Sequence, residues 1–170
     1  MTIPASPPLP SANPCPRADG WQEFLPPVVE ILVEMPRGAF VKRHGNGSID
    51  FVSPLPCPYA YGCIPQMASG DGAPLDALII GAGRLTPGSR LLLPVVGVVG
   101  FVDAGHADPK VVCAARPLTA TQQLGLRAFF SLYGACKGAL ARLRGLPGPT
   151  WFLGLTLPPQ QGCGTSPSDR

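Results

Sequence analysis

The sequence predicts an α+β fold, in which a closed or nearly closed antiparallel β-barrel is followed by one helix. Short segments rich in β-branched residues recur along the first two thirds of the chain. They are separated by turns built from many of its 21 glycines and 23 prolines. After Pro117 the apolar residues adopt a spacing of three and four, which is typical of an amphipathic helix. Many short strands before a single helix favour a barrel over a helical bundle.

The predicted strands share alternating or β-branched apolar residues bounded by turn formers. They cover residues 28–35, 39–42, 49–52, 59–65, 75–80, 90–102, 109–114 and 151–157. Asn46-Gly47 is a hairpin signal between the second and the third. Residues 90–102 are long enough for one bent strand or two. Three prolines at alternate positions in residues 53–58 exclude a central strand there.

The predicted helix carries one apolar stripe and recognisable ends. The stripe comprises Leu126, Phe129, Phe130, Tyr133, Cys136, Leu140 and Leu143. Thr119 or Thr121 can serve as the N-cap, and Gly145 with Pro147 ends the helix.

A chain of 170 residues suggests a single domain. Residues 1–20 are rich in proline and predict a flexible arm. Residues 21–157 are expected to form the barrel domain, and residues 158–170 a polar tail.

Composition argues against several classes of protein. The net charge is +3, and the ten arginines are spread along the chain instead of forming the basic face of a nucleic-acid binder. The first ten residues lack the basic and apolar regions of a signal peptide, and the longest apolar stretch is too short for the roughly 20 residues of a membrane span. Six cysteines without C-x-x-C spacing indicate reduced thiols. We therefore expect a cytoplasmic protein that does not bind a membrane.

Acidic residues are scarce, and they cluster. The chain has seven aspartates and three glutamates. Four of the aspartates lie in two turns, at Asp71 and Asp76 and at Asp103 and Asp108. Carboxylates on turns at strand ends suit a hard divalent cation. The alternative is a pair of ordinary surface turns, where aspartate beside glycine is common.

Basic and phenolic residues close to these turns point to a phosphate. Lys110 follows the second turn, and Lys42 and Tyr61 lie near other strand ends. Lysine and tyrosine donate to phosphate oxygens while a metal bridges them. Taken alone, Lys42 also fits a solvated lysine and Tyr61 a packed aromatic.

Several motifs occur in the order and spacing of one known family. They are Val33-Glu34-Met35-Pro36-Arg37-Gly38, Lys42, Tyr61-Gly62, Asp71-Gly72-Ala73-Pro74-Leu75-Asp76, Pro87-Gly88-Ser89, Val96-Gly97 and Asp103…Asp108-Pro109-Lys110. From about Val28 to Ala115, and more weakly through Tyr133 to Trp151, the chain resembles the soluble (family I) inorganic pyrophosphatases. The resemblance implies an OB-like five-stranded antiparallel barrel with a flanking C-terminal helix. It also implies Mg²⁺-dependent hydrolysis of pyrophosphate by a metal-activated water, in a homo-oligomer.

Roles follow from this resemblance, position by position. It implies metal ligation by Asp71, Asp76, Asp103 and Asp108. It implies catalytic roles for Asp71, Asp76, Lys42 and Tyr61. It implies phosphate binding by Lys42, Lys110 and Tyr133, and it places Glu34 near the mouth of the site. Because Tyr133 lies on the apolar stripe of the helix, core packing is an equal alternative for that residue.

The chain departs from the family pattern at several site positions. Ala73 replaces the aspartate that orients the attacking water, and His44 replaces an acid after Lys42. The arginine expected before Tyr61 has no counterpart in the shortened segment 53–56. Gly134 replaces a lysine, although Lys137 lies one turn further along the helix. Losing one catalytic acid or base typically costs on the order of 10²–10⁴ in rate.

Three functions therefore stay open from the sequence. The first is a Mg²⁺-dependent pyrophosphatase with reduced activity. The second is an impaired relative that binds metal and phosphate compounds without turnover. The third and weakest is an OB-like binder of single-stranded nucleic acid, whose affinity would fall steeply with salt.

Overall fold

The computed structural model describes residues 25–43, 49–69 and 72–158. In order, the elements are β1 (Val28–Met35), β2 (Val41–Arg43), β3 (Ile49–Val52), β4 (Ala60–Ala68), β5 (Pro74–Ile80), β6 (Arg90–Asp103), β7 (His106–Ala107), β8 (Lys110–Ala114), α1 (Ala120–Leu143) and β9 (Trp151–Thr156). The expected arm over 1–20, the Asn46-Gly47 turn, Asp71, His44 and the tail after Pro158 lie outside the described residues.

Five strands close into a barrel, in the order β1, β4, β5, β8 and β6, with β6 pairing back to β1. Four of these pairings are antiparallel, while β5 and β8 run parallel. A closed ring with an odd number of strands cannot alternate direction throughout, so one parallel pair is required. The predicted five-stranded barrel with a C-terminal helix is confirmed. Its single parallel pair, β5 and β8, departs from the predicted antiparallel arrangement.

The segment that the sequence left as one strand or two is a single strand, β6, of 14 residues. It bends where its pairing is irregular, between Val95 and Gly97 and between Gly100 and Phe101. A Cβ on Gly97 would lie 2.9 Å from the Thr156 carbonyl oxygen, so glycine lets β9 approach closely. The bend allows β6 to pair with β1 at one end and with β8 and β9 at the other.

Strand β4 runs past Pro65, where the sequence predicted its end. Its pairing with β5 becomes irregular between Ile64 and Ala68, so the proline falls where no regular ladder bond is needed. Strand β2 is shorter than predicted and pairs with β3 in a separate two-stranded sheet. The two-residue strand β7, which the sequence analysis did not identify, pairs with the end of β6.

Helix α1 covers one end of the core. Thr119 caps it, accepting a hydrogen bond from the Gln122 amide, while the Gln122 side chain bonds back to the Thr119 amide. Leu126 and Phe130 are buried against the barrel. The predicted stripe does not stay buried to its end, because Leu143 is 85% exposed.

Two glycines one turn apart set the distance between α1 and the start of β9. A Cβ on Gly134 would meet the Phe152 amide nitrogen at 3.2 Å, and one on Gly138 would meet the Thr150 carbonyl oxygen at 3.2 Å. Because these two glycines have no side chain, this part of the helix lies close to residues 150–152. Within the described part of the chain, no helix is long and apolar enough to cross a membrane.

The close contact between β1 and β4 yields a stability prediction. A Cβ at position 62 would lie 2.2 Å from the Leu32 carbonyl oxygen, so Gly62→Ala must displace backbone. We expect it to lower the free energy of unfolding by about 2 kcal/mol or more, as overpacking of a tight site does. Gly83→Ala is the matched control because nothing lies within 4 Å of its added carbon. Equal urea midpoints for the two variants would contradict the prediction.

Candidate active site

A cavity of about 220 Å³ collects most of the charged side chains singled out from the sequence. The chain has only three lysines, and all three line it. Three aspartates line it as well. The full lining is Met35, Lys42, Ser53, Cys57, Tyr61, Asp76, Asp103, Asp108, Lys110, Phe129, Phe130, Tyr133 and Lys137. Equal numbers of ammonium and carboxylate groups therefore face one space, with aromatic side chains beside them.

Lys110 is the centre of this arrangement. Its Nζ lies 2.6 Å from Asp76 Oδ2 and 2.5 Å from Asp108 Oδ1, and the residue is only 5% exposed. The parallel pairing of β5 and β8 sets Lys110 directly beside Asp76. Burial alone would lower the pKa of Lys110, but the two carboxylates outweigh burial and raise it. The ammonium therefore stays charged inside the protein.

Asp76 also forms an ion pair with a second lysine, Lys42. Lys42 Nζ lies 3.4 Å from Asp76 Oδ1 and 3.2 Å from Glu34 Oε2. Burial acts to raise the pKa of Asp76, yet Lys110 and then Lys42 lower it below its ordinary value. Asp76 is therefore a carboxylate at neutral pH.

Tyr61 lies beside these groups as a neutral phenol. Lys42 Nζ and Lys110 Nζ lie 5.6 and 6.0 Å from the centre of its ring. Burial, followed by the charges of Asp76 and Asp108, raises the pKa of Tyr61 well above its ordinary value. The hydroxyl group therefore stays protonated and donates a hydrogen bond to Asp76.

Asp103, at the end of β6, belongs to a second group of contacts. Its Oδ2 lies 2.5 Å from Lys137 Nζ, and its Oδ1 accepts a hydrogen bond from Thr150 Oγ1 at 3.2 Å. The turn that follows is held in place because the Ala104 amide donates to Thr150 Oγ1 at 3.1 Å. Ala104 has a φ of +48°, a left-handed conformation that this network maintains. The loop after α1 thus fixes the acidic turn against the helix.

Tyr133 packs among aromatic side chains and also borders the cavity. Its ring packs 5.7 Å from Phe129 and 5.6 Å from Phe101, centre to centre. It also lines the cavity. Burial is the main cause that raises the pKa of Tyr133, so its hydroxyl remains a hydrogen-bond donor.

The donor chemistry of the cavity fits a divalent cation, since three carboxylates face it and hard cations take oxygen ligands. Each of these carboxylates is bonded to a lysine. Among the described residues, no group of three or more Asp, Glu, His or Cys side chains is close enough to hold a metal. A cation held by these carboxylates would therefore have to displace at least one ammonium group from them. The first acidic residue of the predicted set, Asp71, lies outside the described residues.

The structure adds residues that the predicted site did not include. Met35 and Cys57 line the cavity, and Thr150 holds Asp103. Met35 belongs to one of the quoted motifs but was assigned no role, and nothing in the sequence context of Cys57 and Thr150 distinguished them. The sequence did point to Lys137, because it lies one turn beyond Tyr133 on the same face of the predicted helix. Its pairing with Asp103, 34 residues away, is a tertiary contact.

Comparison with known proteins identifies the family. The family profile described as inorganic pyrophosphatase matches residues 31–135. The chain belongs to the inorganic pyrophosphatase family. Inorganic pyrophosphatases of Haemophilus influenzae and Gluconobacter oxydans are 37% identical over 93 residues and 31% identical over 96 residues. These matches cover 51% and 52% of this chain and 53% and 56% of those proteins, so the chain spans about half the length of the curated relatives it matches.

Solved structures show the same fold. The inorganic pyrophosphatase of Thermus thermophilus aligns with a TM-score of 0.61 at 24% identity, covering 91% of this chain and 90% of that one. The enzyme of Neisseria gonorrhoeae aligns with a TM-score of 0.59 at 24% identity, covering 77% and 83%. The pyrophosphatase barrel with its C-terminal helix is therefore present in this chain.

The described substitutions have structural consequences in this family member. Ala73 is exposed immediately before β5, and its carbonyl oxygen accepts a hydrogen bond from the Ser69 amide at 2.7 Å. Gly134 packs against β9 where a longer side chain would not fit. Ser53 lines the cavity at the segment where the arginine is missing.

The buried Lys110 predicts a large stability effect. In Lys110→Met, Asp76 and Asp108 lose the ammonium group that compensates their charge, so we expect the free energy of unfolding to fall by about 3 kcal/mol. Adding Asp76→Asn should recover part of that loss, because one uncompensated carboxylate is removed. Arg116→Met, at an exposed position, controls for the loss of one positive charge. Urea titrations measure all four proteins. A double variant less stable than Lys110→Met would contradict this account.

Proposed function

We propose that this pyrophosphatase-family chain hydrolyses inorganic pyrophosphate to two phosphates with the help of Mg²⁺. The observation that carries the proposal is the convergence of all three lysines and of Asp76, Asp103 and Asp108 on one cavity. Ammonium groups bind phosphate oxygens, and carboxylates hold the cations that accompany them. The names of the matched relatives support the same substrate.

The lysines and phenols of the cavity would bind and orient the substrate. Lys42 is partly exposed and can shift from its carboxylates to a phosphate oxygen, while Lys110 is fixed and supplies a constant positive potential. Tyr133 and Tyr61 present protonated hydroxyls as neutral donors. A positioned set of donors of this kind stabilises charge that develops on the leaving phosphate.

The carboxylates would hold the cation. We assign this role to Asp76, Asp103 and Asp108, together with Asp71. A bound Mg²⁺ lowers the pKa of water and neutralises phosphate charge. Because Lys110 and Lys137 already bond to these carboxylates, cation binding is expected to require a rearrangement of at least one ammonium group.

Ala73 is the reason to expect slow turnover. In the family pattern this position holds the acid that orients the attacking water, and a methyl group can neither accept a proton nor hold a water. A rate lower by about 10²–10⁴ is the usual consequence. The same observation favours the second candidate function, a protein that binds pyrophosphate and cation without turnover.

The structure weakens the nucleic-acid alternative. Single-strand binding needs a basic groove with exposed aromatic rings, whereas all three lysines face the cavity. We further propose that the protein acts in the cytoplasm and assembles as a homo-oligomer. Its rice relatives are named soluble inorganic pyrophosphatases, and Leu124, Leu132 and Leu143 leave apolar surface exposed on α1.

Phosphate release tests the hydrolase directly. We expect wild-type protein to release phosphate from pyrophosphate only with Mg²⁺, and Asp76→Asn to lower the rate by at least about 100-fold because one carboxylate of the site is lost. Glu30→Gln, outside the cavity lining, should retain the wild-type rate. Circular dichroism would verify folding of each variant. Phosphate release that is independent of Mg²⁺, or unchanged in Asp76→Asn, would argue against this function.

Restoring the missing acid tests the explanation for slow turnover. Ala73 is exposed, so Ala73→Asp can be accommodated. We expect the rate of pyrophosphate hydrolysis to rise by about 10-fold or more, because a carboxylate again accepts a proton from water. Ala73→Asn, which adds similar bulk without a charge, should not raise it. Equal rates for the two variants would show that Ala73 does not limit turnover.

A further inference from the structure

The hydroxyl group of Thr150 links the loop after α1 to the start of the second acidic turn. Thr150 Oγ1 accepts a hydrogen bond from the Ala104 amide at 3.1 Å and donates one to Asp103 Oδ1 at 3.2 Å. An amide N–H can only donate and a carboxylate can only accept, whereas a hydroxyl group has one proton and two lone pairs. The chemistry of the partners therefore fixes the direction of both bonds, and the single hydroxyl proton of Thr150 is directed at Asp103.

Backbone contacts place Thr150 beside this turn independently of its hydroxyl group. The Gly105 amide donates to the Pro149 carbonyl oxygen at 2.8 Å. Gly148 has a φ of +88°, and a Cβ on it would overlap the Ala104 carbonyl group, so the two loops touch through their backbones. Removing the hydroxyl group of Thr150 should therefore leave the loop in place.

The turn that Thr150 contacts has a conformation that its sequence does not favour. Asp103 pairs with His106, so Ala104 and Gly105 form a two-residue hairpin loop between β6 and β7. Both have a positive φ, +48° and +86°. That is the pattern of a type I′ turn, which favours asparagine, aspartate and glycine. A strained residue such as Ala104 persists where its surroundings determine its conformation, and such residues are frequent at functional sites.

We propose that Thr150 is a positioning residue, whose hydroxyl group holds the carboxylate of Asp103 in the orientation that binds a divalent cation. The inference rests on the proposed function of the cavity, in which Asp103 is a cation ligand. The Asp103 side chain is 32% exposed and can rotate, so a fixed donor restricts it. Thr150 contacts Oδ1, which leaves Oδ2 and the remaining lone pair of Oδ1 for other partners, of which Lys137 is one.

A hydroxyl group suits this role because it is neutral. It orients the carboxylate of Asp103 without adding a positive charge that would repel the cation. Hydrogen bonds from residues behind a metal ligand orient it in this way, and losing one typically lowers metal affinity by about 10–100-fold. Thr150 itself lies outside the cavity lining, so it would act through Asp103 and not by touching the substrate.

Calorimetry on the full chain tests the proposal. Mg²⁺ is titrated into protein with one equivalent of methylenediphosphonate, a pyrophosphate analogue that is not hydrolysed, and Mg²⁺ binding to the free diphosphonate is measured separately and subtracted. In Thr150→Val, which keeps the shape but lacks the hydroxyl group, we expect the Mg²⁺ affinity to fall about 10-fold or more. Thr150→Ser keeps the hydroxyl group and should recover most of that affinity. Diphosphonate affinity without Mg²⁺ should stay unchanged in both variants.

Thr156→Val provides the matched control, because it removes a hydroxyl group from β9 at a position outside the cavity lining. It should leave the Mg²⁺ affinity unchanged. Circular dichroism verifies folding, and Thr150→Ala replaces Thr150→Val if the valine variant does not fold. Failure of both to fold would assign the hydroxyl group to folding and overturn the proposal.

Three binding results would also overturn it: unchanged Mg²⁺ affinity in Thr150→Val, an equal loss in Thr150→Ser, or an equal loss in Thr156→Val. A parallel loss of diphosphonate affinity in Thr150→Val would indicate a general disturbance of the cavity and overturn it as well. Wild-type protein that binds neither probe would overturn the proposed function, and this inference with it. Normal wild-type binding that Thr150→Val leaves unchanged would overturn this inference alone.

Discussion

The site depends on one buried ammonium group, that of Lys110 between Asp76 and Asp108. The carboxylates of Asp76, in β5, and of Asp108, just before β8, would repel each other in a partly apolar cavity, and the cost of burying them is high without a counter-charge. The strand pairing that closes the barrel provides that counter-charge, because β8 runs parallel to β5 and sets Lys110 beside Asp76. The β5–β8 pairing thus contributes both to the closed barrel and to the charge balance of the site.

The surrounding lysines pair with further carboxylates at more exposed positions. Lys42 approaches Asp76 from the edge of the small two-stranded sheet, and Lys137 approaches Asp103 from the helix. Exposure increases from Lys110 to these two lysines. The most buried positive charge therefore lies at the centre of the cavity, and the more exposed positive charges lie around it.

Substitutions at the site follow a physical pattern. Ala73 and Gly134 stand where the resemblance implies side chains that act on water or phosphate, whereas the carboxylates and lysines that compensate one another are present. Removing any one of the retained groups would leave an uncompensated charge in the cavity, and that penalises stability as well as function. Ala73 is exposed on a turn and carries no such penalty. The paired charges of the cavity therefore affect the stability of the fold, while the exposed position 73 does not.

The sequence by itself predicted most of the strands, the helix with two candidate caps, the acidic turns and the lysines near them, because periodicity and turn chemistry are local properties. The resemblance carried by the motifs then predicted the five-stranded barrel. Only the tertiary structure decided which ammonium meets which carboxylate, in three pairs that are each 34 residues apart. It also decided the extension of β4 past Pro65 and the approach of Lys137 to Asp103. These features arise from barrel closure and from helix packing at Gly134, which no local pattern encodes.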